Sequence, residues 1–347
     1  MNVLGAFRLQ SEACTKLGSP FMGQLMSVLS EQLTSGDPVS DKVLNWSGDP
    51  TPSADSVPLR LAGALHALRL ESKALESVYP PSNVSDDTLW NGIVQAFDEH
   101  SDQIVEWLGS PPQTNEVRRS AVILPALALL QEMYDLPVSL YELGTSGGLN
   151  LRADLFRLEL GNTSIGPDQS AVVLKPKWHG ERPANKLPKV VTRHGVDLNP
   201  IDPSSPDGRL RLLAYIWPDQ PERIQLTERA IQIAMENAAE IDRGDAGTWL
   251  MQALNERPEH ALRLVFHTVA WQYFPQKTKA LAESALREAA SSATNDAPLA
   301  HLSMEDSDGK SAAVTLTTWP GEEERLIARA NFHGRWVDWR GLDARRA

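Results

Sequence analysis

Residues 140–151, LYELGTSGGLNL, decide the fold. An apolar run (Val138, Leu140, Leu143) ends beside an acidic residue, Glu142. A glycine-rich turn follows at Gly144, Gly147 and Gly148, and from 149 to 160 the apolar spacing predicts a helix. Strand, glycine turn and helix in that order build a backbone cradle at a helix N-terminus. Glycine lets the main chain approach a ligand with no Cβ in the way. A carboxylate at the strand end accepts hydrogen bonds from hydroxyl or ammonium groups.

Three chemistries fit this turn, besides a turn that serves packing alone. The dinucleotide pattern G-x-G-x-x-G would fall on Gly144, Ser146 and Leu149, so two of its glycines fail. Gly144-Thr145-Ser146-Gly147-Gly148 satisfies G-x-S-x-G, the nucleophile elbow of serine hydrolases. In that reading Ser146 is the nucleophile, His267 or His333 the base, and Asp197 or Asp306 its orienter. The third is the E-x-G-x-G-x-G turn of S-adenosylmethionine (SAM) methyltransferases. Glu142, Gly144 and Gly148 match it, with Ser146 in place of the middle glycine.

Beyond residue 136, strands alternate with helices. Apolar strand candidates run over 138–143, 190–196, 262–268, 298–304, 312–318 and 326–332, with a weaker one at 238–243. Helical spacing fills 149–160, 210–237, 246–255 and 278–291. Such alternation predicts a largely parallel sheet with helices on both faces. The last two strands have no helix between them and are expected to pair as an antiparallel hairpin at the sheet edge or end. Residues 161–188 read as an insertion. Residues 1–135 are mostly helical, with amphipathic stretches at 21–33, 59–75, 87–108 and 116–134 and a loop rich in Pro, Ser, Asp and Gly at 36–58. The predicted architecture is α/β: a helical N-terminal cap domain (1–135), then a Rossmann-like, mostly parallel sheet domain (136–347) with a terminal antiparallel hairpin.

At 347 residues the chain has room for two such domains. A formal charge of −12 leaves no basic field to offset phosphate, which speaks against nucleic acid as a partner. Cys14 is the sole cysteine, so neither an intramolecular disulfide nor a multi-thiolate zinc site forms. No H-x-H or H-E-x-x-H pattern marks a metal site. No long apolar run and no basic-then-apolar N-terminus is present, so the expectation is a cytoplasmic protein with no membrane span and no signal peptide.

In an open parallel sheet, ligands bind beyond the carboxyl ends of the strands. The predicted ends carry Glu142 with the glycine turn, Asp197 in GVDLNP (195–200), Asp245 in RGDA (243–246), and His267 with Thr268 in VFHT (265–268). Carboxylates there suit ribose hydroxyls and an adenine amino group; alternatively Asp197 and Asp245 are helix caps or turn formers. His267 is the candidate for proton transfer, with a purely structural hydrogen-bonded role as the alternative.

The order ELGTSGG, GVDLNP, GDA, VFHT and closing hairpin resembles a class I SAM-dependent methyltransferase core over residues 136–347. The resemblance implies S-adenosylmethionine as cofactor, bound by Glu142, Gly144, Ser146, Gly148, Asp197, Asp245, His267 and Thr268, and a small molecule as methyl acceptor. The whole chain also resembles a bacterial family that carries only a domain-of-unknown-function label. Its marks are QTNEVRR (113–119), ELGTSGGLNLR (142–152), GVDLNP, WPDQ (217–220) and FHG (332–334). In QTNEVRR, Thr114 or Asn115 suits the cap of a helix beginning at Glu116. The functional reading sets Gln113, Asn115, Glu116 and Arg118, with His333, over the cofactor or substrate, and makes Glu116 a catalytic candidate beside His267. A fold that binds a nucleotide without catalysis is the remaining class, next to methyltransferase and hydrolase.

Overall fold

The structure, a computed structural model, describes residues 1–52, 54–256 and 258–342. Its helices are α1 (Val3–Lys16), α2 (Pro20–Gln32), α3 (Pro38–Leu44), α4 (Val57–Glu71), α5 (Asp86–Leu108), α6 (Ser120–Tyr134), α7 (Pro206–Ala214), α8 (Pro221–Glu236), α9 (Ala246–Ala253) and α10 (Gln276–Ser291). Its strands are β1 (Val138–Leu143), β2 (Arg157–Leu160), β3 (Thr163–Ile165), β4 (Val173–Leu174), β5 (Lys177–His179), β6 (Val190–Asp197), β7 (Glu240–Arg243), β8 (Leu262–Thr268), β9 (Leu299–Asp306), β10 (Ala312–Trp319), β11 (Glu323–Ala330) and β12 (Trp336–Trp339). The chain divides into two compact units, residues 1–114 with 205–225, and residues 115–204 with 226–347. The division at 114/115, rather than 135/136, follows from α6, which packs on β3 and on the turn after β1.

In the sheet unit the strand order is β5-β12-β11-β10-β9-β8-β1-β6-β7. β7, β6, β1, β8 and β9 run parallel. From β9 the sheet continues as an antiparallel meander through β10 and β11 to β12, and β5 adds itself parallel to β12. The fold is thus α/β with a mostly parallel main sheet. β1 and β8 are buried at every position, as central parallel strands covered on both faces must be. The chain steps from β1 to β6 to β7 on one side, then returns to β8 on the other, so the topological switch point lies between β1 and β8.

The helix expected over 149–160 does not form. A 3₁₀ turn, Asn150–Leu155, is followed by β2, where Leu158 and Leu160 are buried and Arg157 and Glu159 are not. That period of two is a strand signal, which the helical spacing from Leu151 and Leu155 had masked. β2 pairs with β3 and β4 in a separate sheet, so residues 161–188 are a folded insertion. The β10–β11 hairpin forms, yet β12 and β5 extend the sheet beyond it. No helix among the described residues is long and apolar enough to cross a membrane.

The helical unit shows why local chemistry starts its helices. Ser19 caps α2 through the Met22 N–H (3.3 Å), with Pro20 at the first helical position. Asn2 caps α1, which sequence reading did not anticipate, through the Gly5 N–H (2.8 Å). The expected loop at 36–58 contains α3, because Asp37 accepts the Val39 and Ser40 amides (2.9 Å each) ahead of Pro38. The single helix expected over 210–237 is split into α7 and α8, since Pro218 and Pro221 cannot extend a helix. The break is WPDQ. Asp219 there accepts the Ser19 hydroxyl (2.6 Å) and the Phe21 N–H (3.1 Å), and the Gln220 amide donates to the Gly18 carbonyl (3.3 Å). The motif therefore fastens the start of α2. Asp219→Ala leaves both donors without this acceptor, and the expected loss is about 1–3 kcal/mol of unfolding free energy. A urea titration reads it as a lower midpoint at constant slope; an unmoved midpoint contradicts the assignment.

Candidate functional site

The glycine turn sits at the carboxyl end of β1, whose neighbours in the sheet are β6 and β8. Gly144 and Gly148 have φ of +71° and +66°, in the left-handed region that favours glycine. The space a Cβ would need is already filled, by Ala270 (2.8 Å) at Gly144 and by Ile241 (2.5 Å) and the Arg152 guanidinium (2.8 Å) at Gly148. Packing alone therefore demands these two glycines. Ser146 is also left-handed, at φ +53°, without being glycine, a strain of about 1–3 kcal/mol.

Five of the turn's amides are closed by the chain itself. Gly144 and Thr145 donate to the Val196 carbonyl (2.9 and 3.1 Å), and Gly148 to the Thr145 carbonyl (2.8 Å). Ser146 donates to Asp197 Oδ2 (2.9 Å), and Leu149 to Asn115 Oδ1 (2.9 Å). With only a short 3₁₀ helix behind it, the turn is not the open amide cradle that sequence reading expected. The Ser146 hydroxyl is different: it is buried, at 4% exposure, and Oγ has no hydrogen-bond partner.

Around the turn stand the strand-end acids. Glu142 is 2% exposed and accepts the Thr145 hydroxyl through Oε2 (2.6 Å). Burial pushes its carboxyl up to about 8, only partly countered by Thr145 and the Arg152 charge. Asp197 accepts the Ser146 amide on one oxygen and the Asn199 amide on the other (2.9 Å each). Asp245 caps α9 through the Thr248 N–H (2.9 Å) and accepts the Thr278 hydroxyl. Burial pulls its carboxyl upward, but these donors outweigh it and hold it below the usual carboxylate range. Asp245 thus takes the capping role.

His267, at the end of β8, is 2% exposed. Its Nδ1 lies 2.7 Å from Glu305 Oε1, on β9, and its ring stacks on Trp271 (centroids 4.9 Å, 19°) with His301 alongside (5.1 Å). Glu305 Oε1 also accepts the Ala270 and Trp271 amides (3.0 and 3.1 Å). Burial raises the Glu305 carboxyl, but the hydrogen bond of His267 and the two amides outweigh it and hold it below its ordinary value. Sequence reading missed Glu305, His301 and Trp271. A signal existed in β9, where His301, Ser303 and Glu305 alternate with the buried Ala300, Leu302 and Met304.

The segment 115–119 joins this neighbourhood through backbone chemistry. Asn115 takes the Leu149 amide, the Glu116 carbonyl accepts from Asn150 (3.3 Å), and Ser120 donates to the Asn150 side chain (2.7 Å). The Glu116 carboxylate accepts the Arg118 amide (3.1 Å) and caps the 3₁₀ turn Val117–Arg119. Arg119 donates to the carbonyls of Thr268 (2.8 Å) and Phe332 (3.0 Å). Gly334 lies so close to the Arg118 carbonyl that a Cβ would stand 2.3 Å from it. His333 donates its backbone N–H to Asn331 (3.0 Å). Asn115, Glu116, Arg118, Thr268 and His333 therefore belong to one fastened set around the turn, whereas Gln113 belongs to the helical unit. Among the described residues no group of three or more His, Cys, Asp or Glu is arranged to hold a metal ion.

The chain belongs to the family described as "uncharacterized protein conserved in bacteria (DUF2332)", whose model matches residues 5–339. A comparison with curated proteins gave no match.

Glu142 makes a measurable statement about pH. Between its ordinary value of 4.5 and about 8, the folded chain holds a proton that the unfolded chain has released. Stability therefore falls as pH rises through that window, by at most about 1.4 kcal/mol per pH unit. Glu142→Gln removes the titration and keeps an acceptor for Thr145. Urea midpoints from pH 5 to 8 are expected to decline less in the variant than in the wild type. Parallel declines would mean that Glu142 is ionised throughout.

Proposed function

We propose that this family member binds S-adenosylmethionine at the carboxyl ends of β1 and β6 and transfers its methyl group to a small molecule. The observation that carries the reading is the buried Ser146 hydroxyl, which has no partner in a turn tied to Asp197 by its amide and to Glu142 through Thr145. A buried polar group left unpaired costs about 1–3 kcal/mol, which a ligand atom reaching it would recover. The residue types suit the cofactor: a carboxylate such as Asp197 is the group that accepts from a ribose diol, and Glu142 and Ser146 offer oxygens to an ammonium group. The switch point, on the other flank of β1 beside β8, also favours a ligand at the carboxyl end of β1.

When bound, the cofactor supplies an electrophilic methyl group. The chain's own task is to hold and orient the reactants, since an in-line displacement depends mainly on alignment. The formal charge of −12 favours a small acceptor over nucleic acid. A cytoplasmic location belongs to the same proposal and is supported by the single cysteine.

One observation favours a second reading: Ser146 at φ +53° after a parallel strand has the backbone strain of a hydrolase elbow. Against it, the Ser146 Oγ engages no base, Asp306 is used by the Asp308 and Gly309 amides, and His267 is paired with Glu305.

Calorimetric titration with S-adenosylmethionine and S-adenosylhomocysteine, with NAD as control, tests the proposal. Micromolar binding, about −8 kcal/mol, is expected for the first two only. Ser146→Ala is expected to raise the unfolding midpoint, because it removes the unpaired hydroxyl, and to weaken both ligands about tenfold, equivalent to about 1.4 kcal/mol. Asp197→Asn should weaken them as well. No binding at millimolar ligand overturns the methyl-transfer reading and brings ester hydrolysis by Ser146 forward.

A further inference from the structure

We propose that His267 and Glu305 form a proton-accepting dyad, with Glu305 as the positioning carboxylate, for a substrate whose attacking atom carries a proton: a hydroxyl or an amine. The substrate clause rests on the methyl-transfer reading; the dyad does not.

The hydrogen bonding fixes the tautomer. Glu305 Oε1 already accepts two backbone amides, so it acts as an acceptor toward the imidazole too, and Nδ1 must carry the hydrogen in the 2.7 Å contact. Nε2 then holds the lone pair. Stacking on Trp271 and the neighbouring His301 ring fix the plane of the imidazole. This is the arrangement in which a carboxylate holds a histidine in one tautomer and stabilises the imidazolium that forms.

The backbone is strained to make it. Val269, two residues after His267, has φ +52°. For a β-branched residue that is an outlier, and such strain persists where surrounding structure enforces it, commonly at functional sites. The enforcing contacts are the Val269 N–H on the Met304 carbonyl (2.7 Å) and the successive amides of Ala270 and Trp271 on one Glu305 oxygen. The same loop carries the Ala270 and Phe274 side chains that pack against Gly144, which joins the dyad to the glycine turn. The groups facing His267 from β9 are Glu305 and His301, and Arg119 binds the adjacent Thr268 carbonyl. Burial above all drives His301 down to about 3, so it stays neutral. The contacting charge is thus the Glu305 carboxylate.

The step balances as follows. The X–H bond of the bound nucleophile breaks, the electron pair stays on X, and the proton forms a bond to Nε2. Nδ1–H keeps its bond to Glu305 in the imidazolium, and the added proton later leaves to water.

Two measurements on the full chain decide the matter without a known substrate. Histidine ¹⁵N spectra of the wild type are expected to show His267 as the Nδ1–H tautomer; the Nε2–H tautomer overturns the proposal, and no variant is needed. Diethyl pyrocarbonate, which attacks an unprotonated and reachable imidazole nitrogen, is expected to modify His267, located by mass spectrometry. Glu305→Gln should slow that modification about tenfold, the low end of what loss of a carboxylate partner costs a histidine at a metal site, while Glu305→Asp restores most of it. A His267 that resists the reagent, or reacts equally fast in Glu305→Gln, overturns the dyad. S-adenosylhomocysteine binding, measured in parallel, separates the two readings. If the ligand fails to bind while tautomer and reactivity hold, the cofactor reading falls and the dyad stands.

Discussion

The sheet unit depends on one obligation: the turn between Leu143 and Asn150 is buried, so each of its backbone groups must find a partner. A following α-helix would normally meet part of that demand, but here only a short 3₁₀ helix follows. The partners come from elsewhere in the sequence. Val196 and Asp197 at the end of β6 take three amides, and Asn115 takes a fourth. Arg152 donates to the Gly148 carbonyl (2.6 Å) and, through its other nitrogens, to the Asn237 carbonyl (3.0 and 2.9 Å). Segments distant in sequence are held together because this turn cannot satisfy itself. That explains why QTNEVRR, GVDLNP and the glycine turn are spatial neighbours.

The same accounting separates structural from ligand-directed features. Gly144 and Gly148 are fixed by Ala270, Ile241 and Arg152, so they need no ligand to explain them. Asp245 is fully explained as a helix cap, and WPDQ as the tie to the start of α2. Among the features near the turn that packing leaves unexplained are the Ser146 hydroxyl, the left-handed Val269, the buried Glu142 carboxyl and the largely buried Glu305. Functional argument belongs to such features.

How much of this was legible in the sequence follows from the range of each interaction. Apolar runs fixed by burial were readable, so β1 and β8 lie where their hydrophobic patterns predict. Caps are local too, and the strand-end positions of Glu142, Asp197 and His267 follow from the strand pattern. Residues 149–160 were misread because Leu151, Leu155, Leu158 and Leu160 satisfy a helical spacing while the last two satisfy a strand. Period alone does not separate the two over so short a run. Glu305 escaped because its meaning lies in a partner 38 residues away and in a backbone turn at Val269 that no local pattern announces. Gln113 was grouped with Asn115 by adjacency, yet the division between units runs through the residue between them and its neighbour.

Glu142 and Glu305 set the logic of the site. Both are glutamates near the carboxyl ends of parallel strands, Glu142 fully and Glu305 largely buried, and burial by itself pushes both toward the neutral form. Their hydrogen bonds then divide them. Glu142 has one hydroxyl donor, from Thr145, and burial prevails, so its carboxyl is pushed up to about 8. Glu305 gathers the His267 ring and two amides on one oxygen, and donors prevail, so it stays ionised. One residue type is thereby held in two protonation states within a single strand-end cluster, which is how a fold separates an acid from a base at one pH. The separation is set by the count of donors at each carboxyl, and that count is set in turn by the left-handed Val269, which delivers successive amides to Glu305.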